Sequence, residues 1–276
     1  MSDNSTHYNS VTDAWQTIMG DNFHFGYFQT PDTPLTEAAS ALIDKMISFA
    51  NVTQDTRVLD VGCGIGTPAF YLYDKFKCSV TGISTSDKGI EVANQRSESR
   101  GCSEKVRFRV ADGTDNGLPS GSFDIVWAME SSHLMKKRDL ISECHRVLRP
   151  GGTLLLCDIM RHNFTPYIIK PWYAFPERVR DFRYIKRAFG RVWVAPLGYY
   201  WNVFHKTGFG QITTLDIAGQ AFPTLRNWRE NTINNRYILR KYLSDTKIDY
   251  FIKACDAMEK YFANRLLIYA IMKGIK

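Results

Sequence analysis

Three glycines at alternate positions close the run Val58-Leu-Asp-Val-Gly-Cys-Gly-Ile-Gly66, directly before Thr67-Pro68 and a helix-like segment. Glycine is required where φ is positive or where a ligand comes nearer to the backbone than a Cβ permits, and the free N–H groups of a helix start face such a turn. Gly62, Gly64 and Gly66 therefore read as a strand–turn–helix device for a nucleotide-like ligand, or as a structural turn of the same shape. The Gly-x-Gly-x-Gly spacing lacks the last glycine of the dinucleotide fingerprint, which leaves a nucleoside without phosphates open. His133 is the second chemical landmark, since an imidazole after the run Phe123-Asp-Ile-Val-Trp-Ala128 could take a proton from a hydroxyl or cap the next helix. Ahead of both lies an arm with Tyr8, Trp15, Phe23, His24, Phe25, Tyr27 and Phe28 around Gly20 and Gly26. It could order itself over a ligand, with Tyr8 as a contact and His24 as an auxiliary base, or its rings could plug an apolar end of the core.

These groups need a scaffold, and the chain supplies one. Ser79-Val-Thr-Gly-Ile-Ser84 reads as a second strand, Val106-Arg-Phe-Arg-Val110 as a third and Phe123 to Ala128 as a fourth. Thr153-Leu-Leu-Leu-Cys-Asp158 is a fifth, apolar on both faces as a buried parallel strand must be. Ile212 to Ile217 and Leu266 to Met272 add two strand-like runs. Strands alternating with helical patterns predict an α/β, doubly wound sheet of seven strands with its ligand at the carboxyl ends.

With these landmarks in order, the chain resembles the class I S-adenosylmethionine-dependent methyltransferases. The likeness rests on Val58 to Gly66, on Asp112 with Leu118-Pro119 and Ser122-Phe123-Asp124, and on Val147 to Gly152. Asn22-Phe-His-Phe-Gly-Tyr27, Gly82-Ile-Ser-Thr-Ser86 and Met129-Glu-Ser-Ser-His-Leu-Met135 are similar to the small-molecule branch, which holds sugar O-methyltransferases of antibiotic pathways and tocopherol and sterol C-methyltransferases. The resemblance implies a Rossmann-like sheet and S-adenosylmethionine as the cofactor. It implies that Gly62, Gly64 and Gly66 admit the methionine part of this donor while Asp60 orients its amino group or only braces the turn. Ser84 stands where many relatives carry an acidic ribose ligand. Asp112 is expected to accept from the adenine amino group, or to act as a turn aspartate, with Gly113 letting the ring lie close. Glu130 is expected to orient a partner or shape the donor site, or to make a structural hydrogen bond. The resemblance also pairs His133 with Asp158, and Leu134 stands where the family often has a second histidine.

The 276 residues, 44% of them hydrophobic, are enough for one core and a smaller covering segment, with neither a membrane span nor a signal peptide in evidence. Cys63, Cys78, Cys102, Cys144, Cys157 and Cys255 form no Cys-x-x-Cys pair, which points to reduced thiols in a cytoplasmic setting and no metal site. Much of the net charge of +7 lies in Glu177 to Arg191, where basic residues alternate with Phe182, Tyr184 and Phe189. That pattern suits a single-stranded nucleic acid, an anionic substrate group, or an amphipathic covering helix with a solvated basic face. Glu130-Ser-Ser-His, rather than an Asn-Pro-Pro-Tyr-type motif, follows the fourth strand and favours a small molecule.

The expected division is an arm at 1–35 capping the donor site, a donor-binding core at 36–160, a lid at 161–210, and strands and helices at 211–276 that complete the core. The lid stretch is rich in aromatic residues, among them Trp172 and Tyr200 as substrate contacts, and fits an extended apolar acceptor or a face for a homo-oligomer. The leading reading is O-methylation of a hydroxyl on a polyketide, peptide-polyketide or glycosylated natural product. C-methylation of an isoprenoid, sterol-like or quinol acceptor is the alternative, with nucleic acid behind both.

Overall fold

The computed structural model describes residues 3–163 and 176–276, with side chains in the first helix described from Ser10 onward. The arm opens with α1 (Asp3–Met19), followed by an extended stretch and α2 (Leu35–Ile47). Then β1 (Arg57–Val61), α3 (Thr67–Phe76), β2 (Ser79–Ser84), α4 (Asp87–Ser99), β3 (Val106–Val110) and β4 (Phe123–Met129) alternate. A single 3-10 turn at Ser132–Leu134 leads into α5 (Lys137–Val147) and β5 (Leu148–Arg161). The remainder comprises α6 (Pro176–Phe189), α7 (Leu197–Thr207), β6 (Gly210–Asp216), α8 (Ala218–Ala221), α9 (Pro223–Asn234), α10 (Arg236–Leu239), α11 (Asp245–Ala263) and β7 (Leu267–Ile275).

The seven strands form one sheet in the order β3-β2-β1-β4-β5-β7-β6, parallel except for β7, which runs against both its neighbours. The order reverses between β1 and β4, and a crevice opens there beyond the strand ends. β5 is longer than Thr153 to Asp158, because β7 pairs with it from Thr153 to Arg161 and Leu148 pairs back to Phe123. Alternate residues of these strands feed two apolar layers. Val58, Ile125, Trp127 and Leu155 pack towards α2, α9 and α11, whereas Leu59, Val126, Leu154 and Leu156 pack towards α5 and α7. All six cysteines are free and buried.

The arm is docked along its length. Lys88 pairs with Asp13 at 2.7 Å, Asn231 Nδ2 donates to the Ile18 carbonyl, and Thr67 Oγ1 donates to the Asp21 carbonyl at 2.6 Å. Beyond it, α6 lies along α11 with Arg180, Arg183, Lys186 and Arg187 on the solvent side. The basic stretch is thus an amphipathic covering helix with a solvated basic face. By contrast, α7 packs against α5 and β6, away from the crevice.

The glycine turn after β1 is a strict steric requirement at two positions. Gly62 has φ +83° and an added Cβ would lie 2.3 Å from the Ser131 Cβ; Gly66 has φ +84° and its Cβ would lie 2.6 Å from the Phe108 ring. Gly66→Ala should therefore combine left-handed strain with overpacking and lower stability by roughly 2–4 kcal/mol in urea unfolding. A loss below about 0.5 kcal/mol, the level of ordinary surface substitutions, would contradict this packing.

Candidate active site

The carboxyl ends of β1, β2, β3, β4 and β5, the arm, and α6 enclose a cavity of about 760 Å³, within the range of small-molecule sites. Asp60, Gly62, Gly64, Ser84, Asp112, Gly113, Glu130 and His133 line it from the strand ends, and His24 lines it from the arm. Gly64 is the open one of the three glycines, with φ +55° and nothing nearer to a notional Cβ than the Phe23 ring at 4.0 Å. Gly66 stays behind the turn, where it starts α3.

Two carboxyls on this wall are charged only at a cost. Burial pushes Asp60 up to about 7, and its Oδ2 has no partner among the described residues. Burial likewise pushes Glu130 up to about 7, against the bonds that Glu130 Oε1 accepts from the Phe25 N–H at 2.6 Å and from the Tyr269 hydroxyl. A carboxyl raised in the folded state lowers stability as the pH climbs from its ordinary range through 7, since the unfolded chain ionises first. A cation placed between them removes that penalty. Glu130 also sits at φ +48°, a conformation that turns its side chain off the end of β4 and that a non-glycine residue rarely adopts.

Asp158 is the opposite case. Fully buried within β5, it is pushed up by burial but held below the ordinary carboxylate value by the charge and hydrogen bonds around it. Its Oδ1 accepts from His133 Nδ1 at 2.8 Å and from the Ile159 N–H at 2.7 Å; its Oδ2 accepts from the Ser132 hydroxyl at 2.5 Å and from the His133 N–H at 2.9 Å. The Ser132 proton is thereby committed, so the Tyr200 hydroxyl donates to Ser132 Oγ at 2.8 Å. An ionised Asp158 requires the proton on His133 Nδ1, which leaves Nε2 as the basic nitrogen of a ring on the cavity wall. Burial lowers the affinity of His133 for a proton, yet the Asp158 charge prevails and the net direction is upward. Lys137 donates to the Met135 and Trp193 carbonyls, and burial brings it down to about 8.

His24 differs from His133. Its Nδ1 donates to the Phe25 carbonyl at 2.7 Å, and burial lowers it to about 4, so it is a neutral and weakly basic imidazole. That weakens its case as an auxiliary base. His133 is not the cap of α5 either, because it lies in the preceding 3-10 turn and Lys136 occupies the capping position before Lys137.

Residues 59–156 match the family model described as Methyltransferase domain. This stretch of the chain resembles a methyltransferase domain. Around this domain, the chain is 38% identical over 154 residues to the 27-O-demethylrifamycin SV methyltransferase of Amycolatopsis mediterranei (strain S699), covering 55% of this chain and 57% of that one. It is 33% identical over 180 residues to the chloroplastic tocopherol O-methyltransferase of Arabidopsis thaliana, covering 60% and 52%. The chain spans about half the length of these curated relatives. Among solved structures, the cyclopropane synthase MmaA2 from Mycobacterium tuberculosis shares the fold with a TM-score of 0.88 at 18% identity, over 99% of this chain and 97% of that one.

The fold brings most of the sequence-derived residues to one cavity, but not all. Tyr200 was expected at a substrate and is instead fully buried in α7, behind Ser132. Trp172 falls outside the described residues, and Tyr8 lies in α1 with its side chain outside them. Asp112 Oδ1 accepts from both the N–H and the hydroxyl of Thr114, so it braces its own turn while lining the cavity. Ser84 Oγ accepts from the Ser86 N–H at 3.2 Å. Sequence reading missed Ser132 and Lys137, whose roles depend on groups many residues away, and Trp228 and Tyr261 as cavity walls.

Asp158→Asn should lower the pKa of His133, because the upward influence of the carboxylate disappears, and should move the ring proton towards Nε2. Histidine side-chain NMR titration reads both effects. An unchanged His133 titration would disprove the pairing.

Proposed function

We propose that the chain is an S-adenosylmethionine-dependent methyltransferase that alkylates a hydroxyl oxygen on a small, largely apolar acceptor. The observation that carries this reading is His133, held through Nδ1 by a buried carboxylate with Nε2 left to the cavity. The cofactor fits the residues present. Asp60 Oδ2 is a buried acceptor without a partner, suited to the donor's ammonium group, and Gly64 leaves the space that a closely held ligand needs. When bound, S-adenosylmethionine supplies a methyl group already activated by its sulfonium charge.

The work left to the chain is alignment, exclusion of water and removal of one proton. His133 Nε2 takes the hydroxyl proton, and the resulting imidazolium is steadied by Asp158, which is itself fixed by four donors. Ile159, Phe182, Ile185, Phe189, Val192 and Trp193 form the acceptor side, which suits a polyketide-like or glycosylated natural product better than a nucleic acid. The relatives that methylate rifamycin and tocopherol support the small-molecule reading. Carbon methylation is the second reading, favoured by Glu130 beside an aromatic wall that could steady developing positive charge.

The test is a mass-spectrometric screen with methyl-labelled S-adenosylmethionine against hydroxylated polyketides, glycosides and quinols, locating the label on oxygen or carbon. A methyl ether supports the His133 mechanism, and a carbon-bound methyl overturns it in favour of the second reading. His133→Ala should retain donor affinity by calorimetry while turnover falls about 10²–10⁴-fold. Gly64→Leu should abolish donor binding. Turnover of the unaltered chain should rise with pH through a value above 6.5, as the raised His133 loses its proton.

A further inference from the structure

Besides Asp60, the cavity wall holds two buried polar atoms without a partner among the described residues, His24 Nε2 and Trp228 Nε1. Their chemistry is complementary. The Nδ1–H of His24 is spent on the Phe25 carbonyl, so Nε2 of this neutral ring is a lone-pair acceptor. An indole Nε1–H can only donate. A buried acceptor lacking a donor and a buried donor lacking an acceptor are each unfavourable on their own, and native proteins rarely keep such groups without reason.

The two residues belong to one wall. The Gly26 N–H donates to Thr224 Oγ1 at 2.9 Å, one helical turn before Trp228 on α9. The Phe25 ring meets the Trp228 ring edge-on with centroids 5.0 Å apart. The segment His24-Phe25-Gly26 therefore runs along α9. Around it the surface is apolar, with Phe189 and Met258 also lining the cavity.

We propose that Trp228 and His24 form a hydroxyl-recognition subsite, separate from the His133 base, that selects acceptors with a second hydroxyl besides the one methylated. A hydroxyl can accept from Trp228 Nε1–H or donate to His24 Nε2, whereas a ketone, ether or thioether can only accept. The inference rests on reading this cavity as the acceptor site of a methyltransferase. It assigns His24 a recognition role in place of the proton transfer that its low basicity disfavours.

Binding of 1-octanol, 1-methoxyoctane and octane to the full chain, labelled with ¹⁵N at the indole nitrogens, tests the subsite without knowledge of the natural acceptor. The Trp228 indole N–H resonance, identified by its loss in Trp228→Phe, should shift downfield with 1-octanol. The alcohol should bind about tenfold more tightly than the ether, and His24→Leu should remove most of that preference. Should these variants fail to fold, the comparison of alcohol with ether in the unaltered chain decides. Equal affinity for the three probes, no binding of 1-octanol, or an unshifted indole set would overturn the subsite. Calorimetry with S-adenosylmethionine on the same sample separates the two ideas. Donor binding without alcohol preference removes only the subsite, whereas alcohol preference without donor binding removes only the methyl-transfer reading.

Discussion

A carboxylate stays ionised in a fully buried position only when donors surround it, and Asp158 has four within 2.9 Å. That requirement organises the reactive end of the molecule. It orients the Ser132–Leu134 turn, sets the tautomer of His133, and through Ser132 ties the turn to Tyr200 on α7. The helix layer on the face away from the cavity is thus hydrogen-bonded into the same network as a nitrogen on the cavity wall. Removing a donor from such a network leaves a charge unsolvated, so its members are constrained together.

The donor side of the cavity works by the reverse principle. Burial pushes both Asp60 and Glu130 to about 7, and the His133 charge only partly offsets this at Glu130. A site prepared in this way favours a positively charged ligand, because the ligand supplies the counter-charge that folding withheld. Glu130 also joins the arm to the core, since Phe25 donates to it from the arm and Tyr269 from β7, while the Phe25 and Tyr269 rings stack 5.1 Å apart. Arm position and donor-site charge are therefore coupled through one residue in an unfavourable backbone conformation.

The central strand β5 was legible because a strand covered on both faces reads as a continuous apolar run, whereas the edge strand Val106–Val110 was legible from its alternation; that strand and Ser79–Ser84 agree with the sequence reading to the residue. The glycine turn was legible because φ near +80° excludes other residues at Gly62 and Gly66. His133 and Asp158 stood out by resemblance, His133 in the turn that follows β4 and Asp158 within β5. Tyr200 was misread, since an aromatic-rich stretch says nothing about which side of a sheet its helix will cover, and α7 pairs with α5. The arm's Phe25 and the distant Trp228 are 203 positions apart, and no local pattern relates them.

By itself, then, the sequence determined the sheet, the order of its strand-end motifs and the chemical types available at them, because these follow from periodicity and from backbone conformations that few residues tolerate. Tertiary structure alone decided which of the two histidines is the more basic. His133 and His24 carry the same side chain, but one faces a buried carboxylate and the other a carbonyl in an apolar wall. Proton affinity is set by such neighbours and by burial, and both are properties of the folded chain.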